Sequence, residues 1–303
     1  MQTPAVQQRC MRHNYGGLVA YTYPRAGHEG LVLCQKWLTI GFLFDDLFSE
    51  GKRSYEQLFS TISVIKETLL AEDSVTPRPA APALRALTEL RSESLKSRSR
   101  AWSDRFVQNI VDFYEGFLGE FMNQVSGKPV SINDYTELRR KSVGIPHAFD
   151  LMELTESIEL AQPLYDSRIW TELRDAAIDV IAYSNDILSL EKELIHGEVN
   201  NLVLVIENSH GVNRNEAIAY ARSLLESRVS DYLRAEQSLP MVFDDLGLGD
   251  SSRTDAQRCA RGYRDWMAGY IHWHLSETTR YEEAVTSSSG QEISQMESML
   301  KEL

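Results

Sequence analysis

The chain has 303 residues, 43% of them hydrophobic and 25% charged, which suits a globular protein with a sizeable core. Its formal net charge of −13 excludes the basic footprint of a nucleic-acid binder, though not a pocket of a few Arg and Lys for an anionic substrate. Three widely spaced cysteines (Cys10, Cys34, Cys259) suggest neither a disulfide framework nor a zinc site, and no apolar run approaches the roughly 20 residues of a membrane helix. Met1 to Tyr15 lacks the apolar core of a signal peptide, so a soluble protein of the reducing cytoplasm is expected.

Residues 1–15 are polar and predicted loose. Tyr23-Pro24 and Gly27 to Gly30 read as a loop. From Leu31, apolar residues at helical spacing (Leu33, Trp37, Ile40, Phe44) predict a helix ending near Phe48, with Gly51 as a stop. Tyr55–Leu70 and Ala83–Ser97 follow as helices, separated by the proline-rich Thr76–Pro82. Trp102, Phe106, Ile110, Phe113, Phe117 and Phe121 then mark one face of a long helix, either plain core or the wall of a cavity. Helices are predicted over Asp134–Lys141 and His147–Leu160, interrupted at Gly144 to Pro146. A long one spans Ile169–Leu194. Asn201–Ser209 has strand propensity but reads as a buried helix in this company. Asn213–Gln237 and Arg258–Tyr281 complete the set, with Phe243–Thr254 as a loop. No strand-like alternation recurs, so the expected fold is all-α, one domain over 1–303 of roughly ten helices, with 282–303 as a tail.

Two stretches carry chemistry. Asp45, Asp46 and Glu50 gather acids at a helix C-terminus, where the negative end of the dipole disfavours them and calls for a cation. Grouped carboxylates bind Mg²⁺ together with phosphate oxygens; the plainer alternative is a solvated acidic helix end. Phe42 lies one turn back, on the side of the acids. In the second stretch Asn185, Ser189 and Glu193 recur every four residues on one helix face. An amide, a hydroxyl and a carboxylate oxygen in line can hold a hard divalent cation, and Lys192 beside them favours an anionic substrate, most simply a phosphate. A solvated polar face is the alternative here too. Phe243-Asp244-Asp245-Leu246 echoes the first acidic stretch but precedes two glycines and reads as a surface loop. His272 and His274, two apart, do not form a helical metal pair.

Together the two stretches resemble the class I terpene synthases of bacterial and fungal type. Asp45, Asp46 and Glu50 match the family's Asp-Asp-x-x-(x)-Asp/Glu motif. Asn185, Asp186, Ser189, Lys192 and Glu193 match Asn-Asp-x-x-Ser/Thr-x-x-Lys/Arg-Glu at every specified position. Arg139 stands 46 residues ahead of Asn185, the family's spacing for a diphosphate-sensing Arg. Arg280-Tyr281 matches its terminal Arg-Tyr pair, with Trp273 two helical turns earlier. The resemblance runs from about Tyr21 to Tyr281.

The resemblance implies a barrel of helices around an apolar cavity, with three Mg²⁺ ions held on a prenyl diphosphate. It implies Asp45, Glu50, Asn185, Ser189 and Glu193 as metal ligands, and Arg139, Lys192, Arg280 and Tyr281 as diphosphate contacts. Asp46 is expected to support the network through Arg280, and Asp186 to be structural. Ser142 and Val143 occupy the positions linking Arg139 to the ionising carbon, Val143 through its carbonyl. Phe42 and Trp273 are the first choices for aromatic stabilisation of a carbocation; Trp37, Phe106 and Phe113 rank behind them as core. Asp45 stands close to the start of the chain, so the segment that closes the family's site is expected to be short or missing. Farnesyl diphosphate is the expected substrate and geranylgeranyl diphosphate the runner-up. A chain-elongating prenyltransferase fits less well, since it would carry a second Asp-rich motif, and a non-catalytic scaffold would have lost a ligand. No nucleic-acid or membrane partner is expected, and a homodimer is compatible with the sequence.

Overall fold

The computed structural model describes residues 4–50, 53–71, 81–126 and 130–281. Among them are thirteen α-helices and no strand. In chain order these are α1 (Pro4–Arg12), α2 (Tyr15–Thr22), α3 (His28–Glu50), α4 (Tyr55–Leu70), α5 (Pro82–Leu95), α6 (Arg100–Ser126) and α7 (Ile132–Ser142). Then come α8 (Ile145–Thr155), α9 (Gln162–Tyr165), α10 (Arg168–His196), α11 (Leu202–His210), α12 (Arg214–Asp245) and α13 (Asp250–Ser276). No helix among the described residues is long and apolar enough to cross a membrane.

Helix α10 is the central element. Every residue from Ala176 to Ser184 is at most 4% exposed, so this segment is surrounded on all sides. Its one charge there, Asp179, accepts a bidentate pair of 2.7 Å bonds from Arg140 and lies 2.8 Å from Arg228 Nε. A buried carboxylate without such partners would cost several kcal/mol. Packing against α10 are α7, α8, α11, α12 and α13. Helix α6 supplies the aromatic stripe: Trp102, Phe106, Ile110, Phe113 and Phe117 are all buried. Phe106 stacks on Trp102 and meets Trp37 edge-on at 5.5 Å.

The α7–α8 junction breaks a helix rather than ending one. Gly144 has φ 71°, the left-handed region that a side chain strains to adopt. A Cβ there would also lie 3.1 Å from the Phe113 ring. Gly116 lets α6 approach this break, for a Cβ on it would come within 2.8 Å of the Ser142 backbone.

Three expectations need correction. Residues 4–12 form helix α1 rather than a loose end, because Arg9 is drawn to a buried carboxylate. Helix α12 runs through Pro240 to Asp245, so Phe243 is buried helix and the echo of the acidic stretch is a helix end. Helix α13 stops at Ser276, which puts Arg280 and Tyr281 in the segment after it. There the Thr278 hydroxyl donates to the His13 carbonyl at 2.9 Å, holding that segment against the α1–α2 link. The predicted tail, 282–303, lies outside the described residues.

Candidate active site

A cavity opens between α3, α6, the α7–α8 break, α10 and α13. Asp45, Arg139, Asn185, Lys192, Glu193, Arg280 and Tyr281 line it. So do Phe42, Ser142 and Val143.

The acidic end of α3 gets the cations its helix dipole demands. Arg280 Nη2 reaches Asp45 Oδ2 at 2.8 Å and Asp46 Oδ1 at 2.6 Å. Arg9 Nη2 takes the other oxygen of Asp46 at 3.0 Å. Asp46 is fully buried, while the Asp45 side chain keeps 41% of its surface. Burial works to raise the Asp46 carboxyl, but Arg280 and Arg9 outweigh it and hold it well below the usual carboxylate range. Asp46 is thus committed to two guanidiniums, and Asp45 is the carboxylate presented to the cavity. Glu50 closes α3; its side chain lies outside the described residues.

The α10 set is organised mainly from its own helix and the next loop. Ser189 Oγ sits 2.5 Å from Glu193 Oε1 and 2.7 Å from the Asn185 carbonyl. Asn201, the N-cap of α11, donates to Glu193 Oε2 at 2.8 Å. Asn185 Oδ1 accepts from Arg139 at 2.6 Å, and its Nδ2 donates to Tyr270 at 2.6 Å and Tyr281 at 3.3 Å. Asp186 points away, fully buried, and accepts from Tyr135, Arg139 and the Leu202 amide. Its place is structural: it fixes Arg139 beside Asn185.

Both donor sets are oxygen-only, as Mg²⁺ prefers. Among the described residues, no three His, Cys, Asp or Glu side chains group so as to hold a metal ion alone. An ion such as Mg²⁺ takes one or two protein carboxylates and completes its shell with phosphate oxygens and water. Burial, then the Asp186 carboxylate, pushes Glu193 up to about 7. Burial, then Glu193, pushes Glu198 up to about 8. A divalent cation among these groups would favour their ionised forms, so the residues fit the metal.

Some side chains in this site escaped the sequence reading. Glu120 lies 3.6 Å from Arg139, and Glu198, Asn200, Tyr270 and Trp266 line the cavity. His147 lines it as well, buried, with its Nδ1 enclosed and unpaired. An unpaired buried polar group costs on the order of 1–3 kcal/mol. Only Tyr270 and Trp266 carried a signal, being three and seven residues before Trp273 in the last helix. Trp273 itself faces elsewhere: it is fully buried and its indole donates to the Asn14 carbonyl at 2.9 Å. Trp37 and Phe113 are wall residues, whereas Phe106 packs behind Trp37. Phe42 is sandwiched, stacked on Tyr15 at 4.6 Å with the Arg280 guanidinium 5.0 Å from its ring centre.

A helical shell around an apolar-walled cavity, with an acidic motif and an Asn/Ser/Glu motif opening onto it, defines the class I terpene synthases. The family model for terpene synthase family 2, C-terminal metal binding, matches residues 36–231, which include both motifs and Arg139. The chain is 30% identical to a (−)-delta-cadinene synthase of Streptomyces clavuligerus over 90% of this chain and 83% of that one. It is also 30% identical to a (+)-T-muurolol synthase of Roseiflexus castenholzii, a farnesyl diphosphate cyclising enzyme, over 92% and 83% of the two chains. Among solved structures, a variant of cucumene synthase superposes with a TM-score of 0.81 at 29% identity, covering 91% of this chain and 90% of that one. The protein belongs to this family and is a class I terpene synthase, a lyase of prenyl diphosphates.

Proposed function

We propose that the protein ionises farnesyl diphosphate in a Mg²⁺-dependent reaction, cyclises the resulting carbocation and releases diphosphate. One observation carries the reading. Arg280 binds Asp45 while the adjacent Tyr281 bonds Asn185, so the two motifs, 140 residues apart from Asp45 to Asn185, meet at one cluster. Relatives named as cyclising (2E,6E)-farnesyl diphosphate support the choice of substrate.

Asp45 and Glu50 on one side, and Asn185, Ser189 and Glu193 on the other, would hold the ions, three being expected. The charge that develops on the leaving diphosphate would be offset by Mg²⁺ held there. Arg139, Lys192, Arg280 and Tyr281 orient that diphosphate. Arg139 turns from Asn185 toward the incoming oxygens, with Asp186 keeping its guanidinium in place. Ser142 and Val143, at the end of α7, follow Arg139 within one turn, so its movement reaches the cavity wall. The Val143 carbonyl supplies partial negative charge near the carbon that ionises. Trp37, Phe113 and Trp266 then face the cation with π clouds, each contributing about 0.5–2 kcal/mol. The cavity excludes water until the product forms. Arg9 on α1 braces the acidic end of α3, so closure begins with a formed N-terminal helix.

The test is incubation with Mg²⁺ and farnesyl or geranylgeranyl diphosphate, followed by gas chromatography. A cyclic C15 product from farnesyl diphosphate is expected, and none once EDTA removes the metal. Absence of any terpene from either substrate contradicts the proposal. Longer diphosphates formed on adding isopentenyl diphosphate would point to chain elongation instead.

A further inference from the structure

The charged side chains of the cavity form one connected cluster. Asp45 and Asp46 hold Arg280, Arg139 joins Asn185 to Glu120, and Glu193 closes on Ser189. Lys192, Glu198 and Asn200 also line the cavity, and away from these groups the wall, including Leu38, Phe113, Ile145, Ile181 and Trp266, is apolar apart from the Ser142 hydroxyl and one titratable side chain. That side chain is His147. It sits one turn into α8, just past the Gly144 break, with its ring centre 5.3 Å from that of Phe113. The residue is 5% exposed, lines the cavity and makes no hydrogen bond to the described residues.

A buried imidazole that supports the fold normally bonds a carbonyl or a carboxylate through at least one ring nitrogen. His13, by contrast, bonds the Tyr15 hydroxyl at 2.9 Å. We propose that His147 is a catalytic base of this enzyme, taking the final proton from the cyclised carbocation so that the principal product is a hydrocarbon. The proposal rests on the prenyl diphosphate reading above.

The step balances without a further reagent. The ring nitrogen lone pair takes a proton from the carbon next to the cationic centre. The electrons of that C–H bond become the new C=C bond, and imidazole becomes imidazolium. The imidazolium gives its proton to water when the site opens, which restores the base. Burial alone holds His147 down at about 4, so at neutral pH the ring is unprotonated before the reaction. A carbocation is a far stronger acid than such an imidazolium, so transfer runs downhill even to this weak base.

The test compares wild type, His147→Gln and His147→Phe, each with Mg²⁺ and farnesyl diphosphate. Hydrocarbon formed per diphosphate released is measured by gas chromatography and a diphosphate assay. Gln keeps polarity and approximate size without a usable base, and Phe keeps the ring. Both variants are expected to lower that ratio at least tenfold, with alcohols or less cyclised products replacing the hydrocarbon. A wild-type ratio in His147→Gln overturns the proposal, because shape and polarity then suffice and another base, such as the diphosphate, takes the proton. An alcohol as the main wild-type product overturns it without any variant, so a substitution that failed to fold would not shield it. A wild type that releases no diphosphate removes the parent reading instead, and this one with it.

Discussion

The two ends of the site that share one substrate group are built in opposite ways. On α10, Asn185, Ser189 and Glu193 are aligned by helix geometry; Ser189 and Glu193 are locked within a turn and to Asn201 eight residues on from Glu193, while the Asn185 amide is held by Arg139, Tyr270 and Tyr281. On α3, Asp45 and Asp46 are held by cations from the two extremes of the described chain, Arg9 and Arg280. The Ser189–Glu193 pair of α10 therefore forms with its helix and the following loop. The α3 set is complete only when α1 and the segment after α13 have docked. One end is preorganised; the other makes metal binding contingent on closure.

The largest effect should come from the preorganised end. Glu193→Gln or Asn185→Leu should reduce turnover at least about a hundredfold, since each removes a ligand and not merely its support. Circular dichroism should show the helical fold intact. Turnover near wild type in either variant would remove the metal assignment. Arg280→Ala should follow, with a loss of about 10²–10³ in kcat, because it removes a preplaced cation from the leaving group and an ion pair from Asp45 at once. Arg9→Ala sharpens the comparison. It leaves Asp46 with one guanidinium and should cost about 3 kcal/mol by denaturant unfolding, as breaking a buried ion pair does. Its effect on turnover should be smaller than that of Arg280→Ala. An Arg9→Ala protein as stable as wild type would show that α1 does not brace the acidic end. Smallest is Trp273→Phe, which loses the bond to the Asn14 carbonyl, about 0.5–1.5 kcal/mol of stability, and should leave the product profile as it was.

The same contrast governs what the sequence could disclose. Asn185, Ser189 and Glu193 were legible because the spacing that aligns them is a property of one helix. Asp186 was legible as structural for the same reason. The need for a cation at the end of α3 was also readable, from three acids at a negative helix terminus. That one of the cations is Arg9 was not, because nothing in the polar first residues shows which carboxylate they will meet. Trp273 was misplaced because its alignment with Arg280 assumed a helix continuing past Ser276, and the chain turns there. Phe42 lies on the cavity side with Asp45, but Phe113, ranked as core, is a wall residue, because periodicity does not tell a wall from solid core. Glu120, Glu198 and His147 come from different elements and share a cavity only after folding.

The central claim is that both ends act on one metal–diphosphate group, and thermal unfolding with Mg²⁺ and inorganic diphosphate tests it most directly. A ligand that binds the native state at 100 times its Kd adds about 2.7 kcal/mol, which for a chain of this size raises Tm by roughly 5 °C or more. Wild type should show that rise only with both components present. Asp45→Asn and Glu193→Gln, changed at opposite ends, should each abolish it. A full shift retained in either variant, or a shift with diphosphate alone, would contradict the account.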